Sequence, residues 1–258
     1  MALIQCNYQS DALGSPATIQ VILPEPLRKS YPVLYLLHGL LDDQTAWTRQ
    51  TAIERYVQPL GLAVVMPAVQ RGFYTDMAAG PRYYSFVCDE VPALVKGMFP
   101  ISPRRKDTFV AGLSMGGYGA FKLALRHPER YAAAASLSGA LDVVDLVPTL
   151  DKAERKEWTA IFGNLKKLAG SDNDLLHLAR QMAASKAPRP QLYQCCGGED
   201  FLYEQNVRFR DLLETLRIKL TYEDGPGDHD WAYWDQAIQR VLAWLPLKTT
   251  INRSSPDF

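Results

Sequence analysis

The amino-acid sequence predicts an α/β protein with a mostly parallel central sheet and helices on both faces. Two observations lead to this prediction: short apolar runs recur along the chain, and longer segments with helical periodicity separate them. Most runs are almost continuously apolar, which is typical of strands covered by helices on both faces. Alternation of strands and helices favours parallel pairing, because a parallel crossover needs a long connection.

Seven apolar runs are the predicted strands, and five helical patterns are the predicted helices. The strands are 17–24, 31–39, 62–69, 107–114, 132–140, 191–198 and 219–225. The helices are roughly 44–59, 83–99, 115–127, 201–217 and 231–245. The first run alternates apolar and polar residues, so we expect an antiparallel strand at the edge of the sheet. The third helix is predicted to end at His127, because a residue before proline disfavours helical dihedral angles.

The domain organisation is predicted to be a single domain over residues 1–258, with a small helical insertion at about 141–190. A chain of 258 residues with 47% hydrophobic content can bury a large core. Two amphipathic stretches, "ERKEWTAIFGNLKKLA" and "NDLLHLARQMAA", lie in the insertion. We therefore expect this segment to form helices over one edge of the sheet.

Composition and charge argue against several classes of function. The 28 Lys and Arg residues balance the 28 Asp and Glu residues, so no nucleic-acid partner is expected. No apolar stretch reaches the ~18–20 residues of a membrane-spanning helix, and the first residues do not resemble a signal peptide. The four cysteines lack C-x-x-C spacing, which indicates free buried thiols, no bound metal and a cytoplasmic location. They are Cys6, Cys88, Cys195 and Cys196.

The stretch "VAGLSMGGYGAFKLAL", residues 110–125, contains the pattern G-x-S-x-G centred on Ser114. It follows an apolar run and opens a helical pattern, which is the strand-turn-helix context of a nucleophilic serine. Gly112 and Gly116 remove Cβ atoms that would collide in a tight turn. The alternative is an ordinary loop in which the glycines only separate strand from helix. The context favours Ser114 as a nucleophile.

A serine nucleophile needs a base, and His229 in "GPGDHDW" is the favoured candidate among four histidines. In this architecture the base follows the serine in the chain, which excludes His38. His127 lies about 13 residues away, or ~20 Å along a helix axis, too far to reach back. His177 is expected on a helix face in the insertion. His229 instead follows the last predicted strand, at the end of the sheet where ligands bind.

The base must be oriented by a carboxylate, and Asp200 in "CCGGEDFLY" is favoured for that role. It follows the predicted strand 191–198 directly. Asp142, after the predicted strand 132–140, is the main alternative acid. A helix N-cap is the alternative role for Asp200 itself, since aspartate is common at that position.

Two backbone amides are predicted to form the oxyanion hole. One is the N–H of Met115, the residue after the nucleophile, and the other is the N–H of Leu40 in the loop after strand 31–39. Gly39 would allow the turn, and His38 is expected to hydrogen-bond to this loop.

Five segments resemble the esterase D family of α/β-hydrolases, in particular its tributyrin-esterase branch. They are "LLHGL", "VVMPAVQRGFYTD", "FVAGLSMGGYGAFKLAL", "CCGGEDFLYEQN" and "GDHDWAYWDQAI", and the resemblance runs from about residue 3 to 246. It implies an α/β-hydrolase fold with Ser114 as nucleophile, Asp200 as acid and His229 as base, and with Leu40 and Met115 as oxyanion donors. The candidate substrate-pocket residues are His38, Gly39, Trp47, Phe73, Tyr74 and Trp231.

The sequence thus predicts a serine carboxylesterase that hydrolyses short-chain acyl esters through an acyl-enzyme, without a cofactor. Its expected partner is a small-molecule ester. An S-formylglutathione thioesterase is an alternative, although such relatives usually carry histidine where this chain has Tyr118. A carbohydrate esterase for acetyl or feruloyl groups is another, and a non-catalytic binding protein is the least favoured. The resemblance also implies a homo-oligomer, a dimer or a tetramer.

Overall fold

The computed structural model describes residues 1–25 and 29–247, and its centre is an eight-stranded sheet in the order β1-β2-β4-β3-β5-β6-β7-β8. The strands are β1 (Ala2–Ser10), β2 (Ser15–Leu23), β3 (Val33–Leu37), β4 (Ala63–Pro67), β5 (Thr108–Leu113), β6 (Ala133–Leu137), β7 (Gln191–Gly197) and β8 (Leu220–Gly225). Strands β3 to β8 run parallel, while β2 pairs antiparallel with both β1 and β4. The predicted α/β class and mostly parallel sheet are confirmed.

Helices follow most of the parallel strands. They are α1 (Ala46–Gln50), α2 (Ile53–Val57), α3 (Tyr83–Ser85), α4 (Val91–Met98), α5 (Met115–Arg126), α6 (Val143–Leu146), α7 (Lys152–Phe162), α8 (Leu175–Ala184), α9 (Tyr203–Thr215) and α10 (Trp231–Trp244). A π-helical turn (Phe86–Glu90) joins α3 to α4. Short 3₁₀ turns cover Gln58–Leu60, Arg105–Asp107, Val147–Thr149 and Leu165–Lys167.

The sheet separates two buried hydrophobic clusters. Helices α1, α2 and α10 cover one face, and α4, α5, α7, α8 and α9 cover the other. Strand β3 shows why the sequence pattern is continuously apolar. Val33, Tyr35 and Leu37 enter one cluster, and Leu34 and Leu36 enter the other. Both faces of the strand are therefore withdrawn from water, as expected for a central parallel strand.

The strand predicted at 17–24 is antiparallel, but the prediction that it lies at the edge is wrong. Strand β1 occupies that edge and pairs with β2 from Ala2↔Leu23 to Ser10↔Ser15. The sequence "ALIQCNYQS" mixes polar and apolar residues. One face of the strand is open to solvent, and even the apolar residue Leu3 on that face is 43% exposed. A strand with one face in water lacks the continuous apolar run that marks the other strands.

Two predicted helices are interrupted. The segment 44–59 contains α1 and α2, because Thr51 is extended and its hydroxyl donates to the Trp47 carbonyl at 2.6 Å. The segment 83–99 is a composite of α3, the π-helical turn and α4. Helix α5 ends at Arg126, one residue before the predicted end, with His127 as its C-cap.

The segment between β6 and β7 contains α6, α7 and α8. Helix α7 docks on the loop after β4, where the N–H groups of Ala78 and Ala79 donate to the carbonyls of Ile161 and Ala160 at 3.1 and 2.8 Å. Its treatment as an insertion within one domain stays a prediction, and residues 26–28 and 248–258 of that domain lie outside the described residues. Across residues 1–25 and 29–247, no helix has the length and apolar character needed to cross a membrane.

Candidate active site

Ser114 lies at the tight turn between β5 and α5, at the carboxyl end of the sheet. Its backbone is in a region rarely occupied by residues other than glycine, with φ +52° and ψ −119°. Such strain costs of order 1–3 kcal/mol and is concentrated at functional sites. The turn is held by its surroundings: the Ser114 N–H donates to the Leu137 carbonyl at 2.9 Å, and the Ser114 carbonyl accepts from Tyr118 at 3.1 Å and Ala140 at 3.2 Å.

Glycines on both sides of Ser114 allow this turn to pack closely. A Cβ on Gly112 would lie 2.4 Å from the carbonyl carbon of Gly116. A Cβ on Gly116 would lie 2.5 Å from the Leu37 carbonyl oxygen at the end of β3. Neither neighbour is a flexible side chain that could move aside. Both positions therefore need glycine for the close approach of α5 to the sheet.

The side chains of Ser114, His229 and Asp200 meet in one hydrogen-bonded chain. The Nε2 atom of His229 lies 2.9 Å from Ser114 Oγ, across 115 residues of sequence. Its Nδ1 atom lies 2.8 Å from Asp200 Oδ2. A carboxylate can only accept, so the proton is assigned to Nδ1, and Nε2 is left to accept from the serine hydroxyl. This is the arrangement in which a histidine can remove the serine proton.

Asp200 is held as a carboxylate inside the protein. Its side chain is fully buried, while 17% of the His229 side chain is exposed. Burial alone would raise its pKa, but the hydrogen bond from His229 and that from the Leu202 N–H, at 2.8 Å, together lower the pKa below its ordinary value. The residue thus keeps a negative charge beside His229 across the neutral range.

The other candidates for the acid and the base lie elsewhere. Asp142 caps helix α6 by accepting from the Asp145 N–H at 3.0 Å, and Arg208 lies 3.6 Å from its carboxylate. His127 is 3.2 Å from Glu129, and His177 contacts Gln181 on the same helix. The structure brings together Ser114, Asp200 and His229 and leaves these three alternatives out.

The loop after β3 packs directly on the serine. A Cβ on Gly39 would lie 3.7 Å from Ser114 Cβ and 2.6 Å from the Leu113 side chain. Met115 is the first residue of α5, so its N–H has no acceptor within the helix. Within residues 1–25 and 29–247, the Leu40 N–H likewise has no protein acceptor. The two predicted donors therefore belong to backbone segments that contact each other near Ser114.

Three of the pocket candidates are buried in or against this loop. His38 and Trp47 are 1% exposed and Tyr74 is fully buried. The Trp47 indole donates to the Leu37 carbonyl at 3.1 Å, and the Tyr74 hydroxyl donates to the His38 carbonyl at 3.0 Å. Their polar groups serve internal hydrogen bonds, which argues against direct contact with a substrate.

The two remaining aromatic candidates pack on opposite faces of the sheet. Phe73 is 5% exposed and packs 5.3 Å from Trp158 of α7, between ring centroids. Trp231 is half-buried and lies 5.2 Å from Trp47 and 5.4 Å from Trp234. Trp234, which the sequence analysis did not place in the site, lies edge-on to His229 at 4.8 Å.

Two further residues were missed from the sequence, one beside His229 and one that holds the loop of Tyr74. Phe201 is 74% exposed and its ring lies 4.6 Å from the His229 imidazole; its position directly after Asp200 was the available signal. Lys122 is buried on α5, and its ammonium donates to the Tyr74 carbonyl at 3.1 Å and to Thr75 Oγ1 and Asn173 Oδ1 at 2.7 Å. A lone lysine in the apolar stretch "AFKLAL" was the signal there.

Comparison with known proteins identifies the family of this chain. The family described as "Putative esterase" matches residues 10–245. The chain belongs to the Esterase family. The predicted resemblance to the esterase D family and the predicted α/β-hydrolase fold are confirmed, and this member of the Esterase family is an enzyme of the carboxylic ester hydrolase class, a serine hydrolase.

Three relatives illustrate the range of the Esterase family. An acetyl esterase of Caldicellulosiruptor saccharolyticus is 31% identical over 262 residues, covering 95% of this chain and 98% of that protein. The substrate-bound structure of FphF, a fluorophosphonate-binding serine hydrolase of Staphylococcus aureus, is 40% identical with a TM-score of 0.88. The S-formylglutathione hydrolase FrmB of Staphylococcus aureus, solved as apoenzyme, is 40% identical with a TM-score of 0.86. Each of these two alignments covers 95% of this chain and 98% of the other.

Proposed function

We propose that the protein is a serine carboxylesterase that hydrolyses short-chain acyl esters, with Ser114, His229 and Asp200 as its catalytic triad. The observation that supports this most strongly is the continuous chain from Asp200 through His229 to a strained Ser114, with contacts of 2.8 and 2.9 Å. A nucleophile, its base and the group that orients the base are the parts that acyl transfer requires.

In the first half of the reaction, Ser114 Oγ attacks the ester carbonyl carbon while His229 Nε2 takes the serine proton. The negative charge that develops on the carbonyl oxygen would be bound by the N–H groups of Leu40 and Met115. Collapse of the tetrahedral intermediate breaks the bond to the alcohol oxygen, and His229 gives that oxygen its proton. The alcohol leaves, and the acyl group stays on Ser114.

In the second half, His229 removes a proton from water, and the water oxygen attacks the acyl carbon. The same two amides bind the second oxyanion, the bond to Ser114 Oγ breaks, and His229 returns the proton to the serine. Asp200 accepts from His229 Nδ1–H throughout and stabilises the imidazolium formed in each half. These residues complete the cycle without a bound cofactor.

The preference for short acyl groups is supported by an acetyl esterase relative at 31% identity. A second candidate substrate is the thioester S-formylglutathione. It is favoured by the 40% identity between this chain and the S-formylglutathione hydrolase FrmB. Both substrates need the same triad, so the choice depends on the groups around it. Carbohydrate acetyl or feruloyl esters stay as further substrates to test.

The decisive experiment compares the wild-type protein with Ser114→Ala. Wild type should hydrolyse p-nitrophenyl acetate and butyrate and be labelled on Ser114 by a fluorophosphonate probe, and the variant should lose both properties. Normal turnover by the variant would disprove the proposed nucleophile, and a wild-type protein without adduct or turnover would favour a binding role.

Peak activity on acyl chains of about twelve carbons or more would exclude the short-chain preference. A higher kcat/KM for S-formylglutathione than for the butyrate ester would favour the thioesterase.

A cytoplasmic location and a dimeric or tetrameric state are part of the same proposal. The four cysteines are free and buried, which is consistent with a reducing compartment. Light scattering of the purified protein tests the oligomeric state, and cell fractionation tests the location.

A further inference from the structure

Both ring nitrogens of His38 are engaged in the buried loop after β3. The backbone N–H of Val69 points at Nε2, with 3.0 Å between the nitrogens. An amide N–H is a donor, so Nε2 must carry a lone pair, and the ring proton is therefore assigned to Nδ1. Nδ1–H then donates to the carbonyl oxygen of Gly39 at 2.7 Å. The contacts of His38 thus select one tautomer.

The Gly39 carbonyl belongs to the same peptide group as the Leu40 N–H. A trans peptide is planar, and its C=O and N–H point in opposite directions. A donor that fixes the carbonyl therefore fixes the direction of the amide. The Asp42 N–H also approaches the Gly39 carbonyl, at 3.3 Å, and Gly39 itself packs on Ser114. The orientation of this one peptide decides where the Leu40 N–H points.

The backbone of His38 is held independently of its ring. Its carbonyl accepts from the Tyr74 hydroxyl at 3.0 Å, and the Tyr74 backbone carbonyl accepts from buried Lys122 at 3.1 Å. His38 therefore connects the ends of β3 and β4, through its main chain to Tyr74 and through its ring to Val69. The ring is left with no freedom to change its hydrogen-bond partners.

Burial keeps this ring uncharged. It lowers the pKa of His38 to about 4, against smaller opposing effects of the Gly39 carbonyl and the Asp43 charge. Tyr74, whose ring centroid lies 6.0 Å away, is a further titratable group facing it, and burial raises its pKa. A protonated ring would place an Nε2–H donor against the Val69 N–H donor. The neutral Nδ1–H form is the one that all contacts accommodate.

We propose that His38 is a positioning residue for the oxyanion hole: its Nδ1–H fixes the Gly39–Leu40 peptide so that the Leu40 N–H faces the oxyanion formed at Ser114. This inference rests on the proposed function. It deepens that function by assigning a residue that never touches the substrate to the stabilisation of the transition state. Such a residue changes kcat while leaving substrate binding nearly unaltered.

Two substitutions of His38 each keep one hydrogen bond of the ring and remove the other. His38→Asn places an amide nitrogen near the Nδ1 position, where it can still donate to Gly39. His38→Gln places an amide oxygen near the Nε2 position, where it can accept from Val69 but leaves Gly39 without its donor. We expect kcat to fall about 100-fold in His38→Gln and less than about 10-fold in His38→Asn, with KM within about threefold in both. Equal losses of kcat, or a loss confined to KM, would overturn the proposal.

The matched control is His177→Gln, the same change at a histidine on α8 whose ring hydrogen-bonds to Gln181. It should leave kcat and KM unchanged. Ser114→Ala distinguishes a failure of the proposed function from a failure of the role of His38. If wild-type turnover does not depend on Ser114, the proposed function fails; if it does, and the two His38 variants behave alike, only the role of His38 fails.

A measurement on the unmodified protein covers the case in which a His38 variant does not fold. Long-range ¹H–¹⁵N correlation spectra of ¹⁵N-histidine-labelled wild type report the tautomer of each ring, and the chain has four histidines. Single variants of His127, His177 and His229 assign the signals, leaving that of His38. We expect the Nδ1–H tautomer from pH 8 down to about pH 5. An Nε2–H tautomer would overturn the proposal.

Discussion

The ring of Phe201 lies 4.6 Å from the imidazole of His229, between centroids, although 74% of the phenylalanine is exposed. Leu41, the residue after the predicted oxyanion donor Leu40, is 87% exposed. An exposed apolar surface can mark the place where a ligand binds. We infer that the apolar part of an ester covers these two residues when it binds.

Phe201→Ala should therefore weaken substrate binding. Losing part of a phenylalanine contact removes about 1–2 kcal/mol, so KM for p-nitrophenyl butyrate should rise roughly 5- to 30-fold, with kcat within about threefold. Met98→Ala is the matched control, since Met98 is 56% exposed at the end of α4. A fall in kcat with unchanged KM would instead mean that Phe201 orients His229.

Asp200→Asn tests the acid of the triad. The amide cannot stabilise the imidazolium and favours the wrong tautomer of His229, so kcat should fall by about 10³ to 10⁴ with little change in KM. Asp142→Asn is the control, because Asp142 caps α6 and does not contact His229. Activity of that variant should stay within about twofold of wild type. The reverse pattern would transfer the role to Asp142.

Gly116→Ala should prevent stable folding or active-site formation. Its Cβ would lie 2.5 Å from the Leu37 carbonyl oxygen and 2.7 Å from that of His38, and backbone at the centre of the sheet cannot yield cheaply. We expect a loss of more than about 3 kcal/mol in the free energy of unfolding, measured in urea. Gly97→Ala, in helix α4 with nothing within 4 Å of the new Cβ, should instead gain about 0.4–1 kcal/mol. Equal stability of the two variants would contradict the close packing at Gly116.

The sequence predicts most of the strands and the three residues of the proposed triad, because each carries a local signal. Continuous apolar runs mark β3 to β7, since both of their faces are buried. Ser114 directly follows β5, and Asp200 and His229 lie in the loops after β7 and β8, so the topology of a parallel sheet brings them to the carboxyl end of the strands.

What the sequence does not predict is fixed by contacts between distant segments. Tyr74 is an aromatic residue in a loop, and only the packing of that loop on Gly119 and His38 shows that it faces inward. Strand β1 lacks an apolar run because one of its faces is exposed, and only its pairing with β2 shows that it is a strand. Phe201 follows Asp200 in the sequence, but only the structure shows that its ring lies beside His229.

The last prediction concerns how His38 makes the free energy of unfolding depend on pH in acid. Burial lowers the pKa of this ring from 6.5 to about 4, so between these values the unfolded chain binds a proton that the folded protein does not. The contribution of neutral His38 is therefore fully present above about pH 6.5 and is lost as the pH falls towards 4. A shift of this size corresponds to roughly 3 kcal/mol.

His38→Asn has no ring to protonate, so its free energy of unfolding should depend less on pH than that of wild type. The stability difference between the two proteins, measured by urea unfolding, should narrow by about 3 kcal/mol between pH 7.5 and pH 4. Contributions of every other titrating group are common to both proteins and cancel in this difference. A wild-type advantage over His38→Asn that stays constant with pH would mean that His38 binds its proton equally well in the folded and unfolded chain, and burial would then not be what keeps the ring neutral.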